Sequence, residues 1–471
     1  MTGAPYQTPP FPKERKARMN PKESLEDKLQ HYDSPLAMLR TAPVMKYVFP
    51  MPDEYTNWRD EQTAWSQSAI LYDQSFHMTD IYFKGPDVKR LFSDVGVNSL
   101  ASFGKNKAKQ FLAVNHDGQV IADAILFGFD DDHYSLVGTP VAPNWVAYHA
   151  ETGGYDVEVT RDERTPANPN AERLTFRYQL NGPATGDIVA KAHGGPLDHI
   201  KFFQMGDFTI AGCHVRALNH TMAGVPGREL TGLEIIGHAG DRDAVLNALL
   251  EAGREFGLRR GGVRSYISAT YESGWIPSPT PAIYSSEQTK PYREWLSAMT
   301  LEGHASIGGS FDSDAIEDYY QTPWDLGYGR LIKFDHDFIG RAALERLADQ
   351  PRRRKVWLRW NQDDVTRIIG ASMAGNGERP KFIDLPNVSW AHFEFDAVLG
   401  GDQLIGLSTY AGYTVNLGSV VSLAMVDEAE AQDGREVTLL WGQTDGGLSK
   451  LFVEPHVQTE IRAAISTIPL I

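Results

Sequence analysis

The run AILYDQSFHMTDIYF, Ala69–Phe83, combines apolar–polar alternation with aromatic and β-branched residues, a pattern typical of β-strands. Two further runs of the same kind, Gln110–Asn115 and Val120–Phe129, follow it, and the turn sequence HDG lies between them. Together these three runs predict a meander of strands that feeds a sheet.

Helical periodicity lies between the strand groups. In Asp241–Phe256, DRDAVLNALLEAGREF, the apolar residues fall near one helical face, with Asp241 as a plausible cap and Gly257 as a stop. The segment PDVKRLFSDVG has the same pattern. Because helices separate the strand groups without a regular βαβ repeat, the fold class predicted is α+β.

The length of 471 residues favours two or three domains. Residues 1–32 are rich in proline, lysine and glutamate and predict a mobile or loosely docked extension. After the basic stretch PRRRKVW, short strands such as QLIGLSTYAGYT and SVVSLAMV predict a small β domain. We therefore expect a main region over 33–350 and a C-terminal β domain over 351–471.

Charge and composition exclude several classes of function. The formal net charge of −16 would repel a polyanion, so nucleic acid is not an expected partner. No apolar run approaches the roughly 20 residues that span a bilayer, and the first residues lack the apolar core of a signal peptide. A single cysteine, Cys213, cannot form a disulfide or a thiolate-rich zinc site. We expect a soluble cytoplasmic protein without a metal centre or a membrane partner.

Four runs in order along the chain carry a family resemblance. They are GQVIADAIL from Gly118, LNGP from Leu180, MAGVPGRELTGLEIIG at 222–237, and LGYGRLIKFDHDFIGRAAL across Leu326–Leu344. In order and spacing they resemble the glycine-cleavage T-protein, or aminomethyltransferase, family. The runs DQSFHM, ESGWIPSPTPAIY, PYREWL and GGSF are similar to those of its vanillate and syringate O-demethylase branch. The similarity covers about residues 35 to 465.

The resemblance implies both a fold and a reaction. The fold would have two mixed α+β domains, intertwined in 33–350, around a central folate site, with a small C-terminal β-barrel. The reaction would move the methyl group of a methoxy-aromatic compound to N5 of tetrahydrofolate, giving 5-methyltetrahydrofolate and a phenol, in catabolism of lignin-derived aromatics. Two alternatives stay open: another folate-dependent methyl or aminomethyl transferase, with a sulfonium or amine donor, and a non-catalytic folate-binding regulatory module.

Catalytic residues follow from the resemblance and from the chemistry of an aryl ether. Methyl transfer needs the donor and acceptor held in line, and the departing phenolate needs a proton. A tyrosine suits this task because its pKa of about 10 resembles that of a phenol. The resemblance places the catalytic tyrosine at Tyr266 and a second one, near the methoxy group, at Tyr47. His77 and Gln74 are expected to hydrogen-bond the oxygens of the ring.

Folate-binding positions are also implied by the resemblance. Glu234 would accept the adjacent amino and ring N–H donors of the pterin. Gln179 and Trp275 align with folate-contacting positions, and Asp123 belongs to the same set. The paired aspartates of true aminomethyltransferases are Ala122 and Asp123 here, which disfavours glycine cleavage.

Departures from the vanillate enzyme bear on the substrate. Thr139 stands where that enzyme has an arginine suited to a substrate carboxylate, and His304 is a candidate replacement. Phe49 and Phe76 replace a tyrosine and a histidine, which makes the predicted pocket more apolar and suits a second methoxy group. Syringate is therefore the leading predicted substrate, with vanillate and 3-O-methylgallate as the other candidates.

Overall fold

The computed structural model describes residues 22–43, 47–220, 232–277, 279–373, 378–389 and 391–470. Residues 1–21 of the predicted extension and 222–231 of the glycine-rich run lie outside these ranges. Within the described residues the helices are α1 Leu25–Leu29, α2 Pro35–Thr41, α3 Trp58–Gln67, α4 Val88–Val95, α5 Val141–Thr152, α6 Thr185–His193, α7 Arg242–Gly253, α8 Val263–Ser273, α9 Lys290–Trp295, α10 Arg341–Leu347 and α11 Gln362–Ser372.

The strands within the same residues come in groups that these helices separate. They are β1 Ile70–Asp73, β2 Thr79–Lys84, β3 Lys107–Val114, β4 Val120–Gly128, β5 His133–Gly138, β6 Glu158–Asp162, β7 Thr175–Asn181, β8 Met205–Ile210, β9 Cys213–Asn219, β10 Gly232–His238, β11 Arg259–Arg260, β12 Ile307–Gly308, β13 Arg353–Trp360, β14 Asn387–Val388, β15 Phe393–Glu394, β16 Asp396–Gly400, β17 Gln403–Thr414, β18 Ser419–Asp427, β19 Glu436–Trp441 and β20 Thr459–Ser466.

Two sheets share the chain in an interleaved way. One has the strand order β11-β1-β7-β10-β9-β8, and the other has the order β3-β4-β5-β2-β6. The chain starts in the first sheet with β1, builds the second from β2 to β6, and returns to the first with β7. This confirms the predicted α+β class. The β1–β2 connection, residues 74–78, is where the chain first passes from one sheet to the other.

The C-terminal region forms a closed barrel. Strand β17 pairs with both β16 and β18, so the six strands β17-β16-β19-β20-β13-β18 complete a ring. Buried Val356, Leu358, Leu439 and Trp441 belong to a hydrophobic core of its own. Closure removes the open edges that a small sheet would otherwise present. The predicted β-barrel is confirmed, and its strands run from Arg353 to Ser466, while the exact boundary at 350/351 stays a prediction.

The start of the described chain differs from the predicted extension. Ser24 caps α1 through its side chain, and Leu25 is fully buried. The Leu25 amide donates to the Leu296 carbonyl at 2.7 Å, and the Ala298 amide donates to Glu23 at 2.9 Å. Residues 22–32 therefore contain a docked helix, because a capped turn with one apolar anchor outweighs the polar composition that suggested mobility.

Helix α8 carries Tyr266 and is fixed by glycines at both ends. A Cβ on Gly262 would lie 2.3 Å from the Asp53 carbonyl oxygen. Gly274 ends the helix with φ +70°, and a Cβ there would lie 2.1 Å from the Trp357 ring. Because no other residue fits at either end without displacement, α8 is held between the 53–54 segment and the barrel strand β13.

Candidate active site

Three polar side chains meet at one buried point. The Tyr266 hydroxyl receives a hydrogen bond from the Gln74 amide at 3.1 Å and lies 3.0 Å from His77 Nε2. Gln74 and His77 come from the β1–β2 connection, and Tyr266 comes from the first turns of α8. The Gln74 backbone amide donates to the Arg177 carbonyl of β7 at 2.9 Å, which fixes this connection to the first sheet.

Burial sets the protonation states at this point. It raises the pKa of Tyr266 well above its ordinary value, so the phenol keeps its proton. Burial, followed by the charges of Arg173 and Arg164, lowers the pKa of His77 to about 3. His77 is therefore neutral at pH 7, with one N–H to place. Its buried Nδ1 has no partner among the residues that the structure describes. Since an unpaired buried N–H is rarer than an unpaired acceptor, the proton belongs on Nε2, facing Tyr266.

Aromatic rings surround the Tyr266 hydroxyl. The Phe49 ring centre lies 5.6 Å from that of Tyr266 and 5.1 Å from that of His77. The Tyr72 ring lies 5.1 Å from Tyr266, edge to face. Tyr47 packs on Phe49 at 5.1 Å, and its hydroxyl donates to the backbone carbonyl of His77. The structure thus uses the Tyr47 hydroxyl to hold the His77 segment.

The rings of Tyr47, Phe49 and Tyr72 around Tyr266 are called the aromatic chamber below. A row of polar side chains runs from it across the first sheet. Strand register places Gln179 opposite both Tyr72 of β1 and Glu234 of β10, so the three side chains share one face. The Glu234 carboxylate contacts Arg177 Nη1 at 2.5 Å and His220 Nε2 at 2.7 Å. Although burial raises it, these partners lower the pKa of Glu234 to about 2, so the group is ionised.

This row fits the pterin of tetrahydrofolate. An ionised carboxylate retains lone pairs after accepting two hydrogen bonds. Gln179 Oε1 is buried and has no partner within the described part of the chain. Its amide nitrogen donates to Asn181 at 3.0 Å and to the His220 carbonyl at 3.2 Å. Two acceptors side by side suit the adjacent amino and ring N–H donors of a pterin.

Asp123 and Trp275 form a second polar group. The Trp275 indole donates to Asp123 Oδ2 at 3.0 Å, and Gln110 and Tyr328 donate to the same oxygen at 2.7 and 3.1 Å. Burial raises the pKa of Asp123. Tyr328 lies in the LGYGR run that carries the family resemblance, so the sequence indicated it. Gln110 was predicted only as a strand residue.

Comparison with known proteins identifies the family. The family profile described as GCVT N-terminal domain matches residues 39–279. Syringate O-demethylase of Sphingobium sp. is 41% identical over 95% of this chain and 96% of its own length. The chain belongs to the glycine-cleavage T-protein family. Sesamin methylene transferase of Sinomonas sp. is 29% identical over 83% of this chain and 86% of its own length.

A solved structure of a T-protein agrees with the fold. The glycine cleavage system aminomethyltransferase T of Bartonella henselae superposes with a TM-score of 0.59 at 17% identity, covering 91% of this chain and 95% of that one. As a member of the T-protein family, the chain is an enzyme, a tetrahydrofolate-dependent methyltransferase.

The contacts that the structure gives three predicted substrate residues are with groups other than Tyr266, Gln74 and His77. Phe76 lies under the Arg242 guanidinium at 4.8 Å. Thr139 follows Gly138, whose strand partner is Thr79, and makes no described polar contact. His304 Nδ1 lies 3.0 Å from the carbonyl oxygen of Thr300. The roles assigned to them stay predictions.

Several charged residues at the site were not predicted. Arg177 and His220 hold Glu234, and Arg177 also donates to Asp80 at 3.1 Å. Arg164 stands over the Tyr47 ring at 4.3 Å. The sequence offers one indication of these partners: Arg177 lies within the buried strand TFRYQLN, and a buried charge requires a buried partner of opposite charge.

Among the described residues, no group of three or more His, Cys, Asp or Glu side chains is placed to hold a metal ion. No helix in that part of the chain is long and apolar enough to cross a bilayer.

Proposed function

We propose that this enzyme is an aryl methyl ether O-demethylase that moves the methyl group of syringate to N5 of tetrahydrofolate. The products are 5-methyltetrahydrofolate and the corresponding phenol. One observation carries the proposal: a buried tyrosine hydroxyl, 3.0 Å from His77 and 3.1 Å from Gln74, at the centre of an aromatic chamber. The 41% identity to a syringate O-demethylase supports it.

The chamber suits a flat methoxy-aromatic ring. Phe49, Tyr72 and Tyr47 offer apolar faces and edges that stack with such a ring and exclude water. The polar row of Gln179 and Glu234 begins beside Tyr72 on the same sheet face. A pterin on that row and an aromatic ring in the chamber would be neighbours, as methyl transfer between them requires.

Tetrahydrofolate supplies the nucleophilic N5 amine. The enzyme's own residues act on the other end of the breaking bond. Tyr266 holds a proton that it donates to the ether oxygen as the C–O bond breaks. Methylation of N5 releases one proton, and uptake of one proton returns Tyr266 to its neutral form, so the overall reaction exchanges one N5–H for one phenol O–H. With the His77 proton on Nε2, both His77 and Gln74 donate to the Tyr266 oxygen, and both contacts stabilise negative charge on that oxygen.

Proton transfer between Tyr266 and the departing oxygen is nearly balanced. Both groups are phenols, and both are in the same buried environment, which penalises either phenolate to a similar degree. The matched affinity for the proton keeps the transfer step from adding a large barrier.

The choice of syringate is supported by the apolar side chains beside Tyr266 and by the similarity to a syringate O-demethylase. Phe49 contacts both His77 and Tyr266, so it borders the reacting oxygen and offers a second methoxy group an apolar surface. Vanillate and 3-O-methylgallate are the other candidates, and catabolism of lignin-derived aromatics in the cytoplasm is the setting that the proposal implies.

The test is a reaction with defined donors. Purified protein is incubated with tetrahydrofolate and, separately, syringate, vanillate, 3-O-methylgallate, a sulfonium and an N-methyl amine. We expect 5-methyltetrahydrofolate and the demethylated phenol to form in equal amounts with syringate. Folate methylation by the sulfonium or amine, with none by any aryl ether, would refute the proposal and identify a different methyl donor.

A further inference from the structure

We infer that Arg164 binds the carboxylate of the aromatic substrate and so restricts the enzyme to methoxybenzoates over neutral methoxyarenes. This inference rests on the proposed O-demethylase function and adds the recognition of the substrate's acidic end. It concerns a residue outside the positions that the family resemblance supplied.

Arg164 lies at the wall of the aromatic chamber. It follows β6 in a segment held to the His77 segment, since the Thr165 amide donates to the Phe76 carbonyl at 2.9 Å. Its guanidinium stands 4.3 Å over the Tyr47 ring. Tyr47 packs on Phe49, and Phe49 packs on Tyr266. A continuous wall therefore joins Arg164 to the catalytic hydroxyl.

The guanidinium of Arg164 lacks an acidic partner. Among the residues that the structure describes, its Nη1 is buried without a hydrogen-bond partner, and no carboxylate forms an ion pair with the guanidinium. Its other side-chain hydrogen bond is to Tyr47. The neighbouring arginines differ: Arg161 pairs with Glu163 at 2.7 Å, and Arg173 pairs with Asp162 at 3.0 Å. A buried donor with no partner costs free energy, so a ligand group that accepts from it binds with advantage.

The surrounding side chains add positive potential. Burial and the charges of Lys450, His304 and Arg164 lower the pKa of His392 to about 4. Arg164 also helps to lower the pKa of His77, after burial and Arg173. Cations that disfavour protonation of both histidines also favour an anion near Arg164.

A carboxylate is the anion that fits. Arginine offers two parallel N–H donors in the geometry of a carboxylate, and the flat Tyr47 ring beneath keeps the guanidinium plane aligned. A ring that places its methoxy oxygen at Tyr266 and its acidic group at Arg164 lies along the wall formed by Tyr47 and Phe49. The vanillate enzyme has an arginine at the position of Thr139, which follows β5. Here the arginine that binds the carboxylate follows β6 instead.

The experiment compares an acid with its neutral amide. Arg164→Met keeps an unbranched apolar stem and removes the charge, and Arg164→Lys keeps the charge and removes the fork. Arg161→Met is the matched control because Arg161 lies three residues earlier, in β6, and already has an acidic partner. Each protein is titrated calorimetrically with syringate and with syringamide in the presence of tetrahydrofolate, and KM and kcat are measured for both. Thermal melting verifies that each variant is folded.

We expect Arg164→Met to weaken syringate binding by roughly 10- to 100-fold and to leave syringamide within about threefold, as for a lost charge-assisted hydrogen bond. Arg164→Lys should fall between Arg164→Met and the wild type, and Arg161→Met should resemble the wild type. The loss should lie in KM. Equal weakening of acid and amide, or no change for the acid, would overturn the inference. Charge-dependent syringate binding without methyl transfer would instead retain Arg164 as the anchor and refute the O-demethylase proposal.

Discussion

Replacing Tyr266 with phenylalanine removes the proposed proton donor and keeps the ring. The ring contacts with Phe49 and Tyr72, at 5.6 and 5.1 Å, remain available in the variant. Affinities for tetrahydrofolate and syringate should therefore change little. The rate of methyl transfer should fall, because the proton is needed only as the C–O bond breaks.

Two magnitudes follow from the contacts of the hydroxyl. One positioned acid contributes roughly 10²–10⁴ in rate, equivalent to about 3–5 kcal/mol of transition-state stabilisation. The hydroxyl also accepts from Gln74 and lies 3.0 Å from His77, both buried. Removing this shared acceptor should lower the free energy of unfolding by about 1–3 kcal/mol.

Single-turnover methyl transfer, followed by the formation of 5-methyltetrahydrofolate, measures the chemical step directly. Tyr271→Phe is the matched control, because Tyr271 lies on the same helix, is buried, and donates a single hydrogen bond to Asn387 at 3.0 Å. It should lose comparable stability and keep its rate.

The role of the proton is tested with donors whose phenols differ in pKa. Electron-poor methoxyarenes leave as weakly basic phenolates, so they should partly restore the rate of Tyr266→Phe. A rate deficit that is the same for all donors would refute the acid role and would indicate that the hydroxyl only orients the substrate.

The remaining predictions concern charge and packing around the site. Glu234→Gln should weaken tetrahydrofolate binding by calorimetry more than syringate binding, and equal losses would indicate a general defect. Because folding lowers the Glu234 pKa from 4.5 to about 2, the carboxylate contributes about 3 kcal/mol of stability above pH 5 that is lost as the pH falls towards 2. Wild type and Glu234→Gln should thus differ in denaturant stability at pH 7 and converge near pH 2. In NMR spectra of histidine-labelled protein, the signal assigned by its loss in His77→Asn should not titrate between pH 5 and 8, and a midpoint near 6.5 would contradict its burial as a neutral ring. Gly274→Ala should lower the free energy of unfolding by about 1–3 kcal/mol, since its Cβ would lie 2.1 Å from Trp357, and an unchanged melting temperature would contradict this packing.

The strands and the long helix were predictable because their signals are local. The strand pattern of Val120–Phe129 predicted β4. The helical periodicity of Asp241–Phe256 and the glycine after it predicted α7 and the short helical turn that follows it to Phe256. Barrel closure came from the resemblance, since no local pattern states that β17 pairs on both sides. Residues 22–32 were mispredicted because composition does not reveal that Leu25 meets Leu296.

The site followed a similar division. Tyr266, His77 and Gln74 were named from the resemblance, and the structure brings them within hydrogen-bonding distance. The partners of Glu234 could not be named, because they depend on which strands are neighbours. Arg177 is 57 residues away in sequence and meets Glu234 only through the pairing of β7 with β10.

Unpartnered buried polar atoms connect these observations. Such atoms are costly, and the structure contains them at unrelated places too, for example at Trp145 Nε1. An isolated one therefore carries little information. Gln179 Oε1, His77 Nδ1 and Arg164 Nη1 differ because their residues contact the site: Gln179 is paired with Glu234, His77 contacts Tyr266, and Arg164 covers the Tyr47 ring. Each atom also has the chemistry that one part of the proposed reaction needs. Gln179 Oε1 is an acceptor beside ionised Glu234 and suits the donors of a pterin. His77 is a neutral imidazole next to the proposed acid Tyr266, and Arg164 is a cationic donor for the proposed carboxylate. Under the proposed function the pterin donates to Gln179 Oε1 and the substrate carboxylate accepts from Arg164 Nη1, so each ligand should raise the free energy of unfolding when it is added alone.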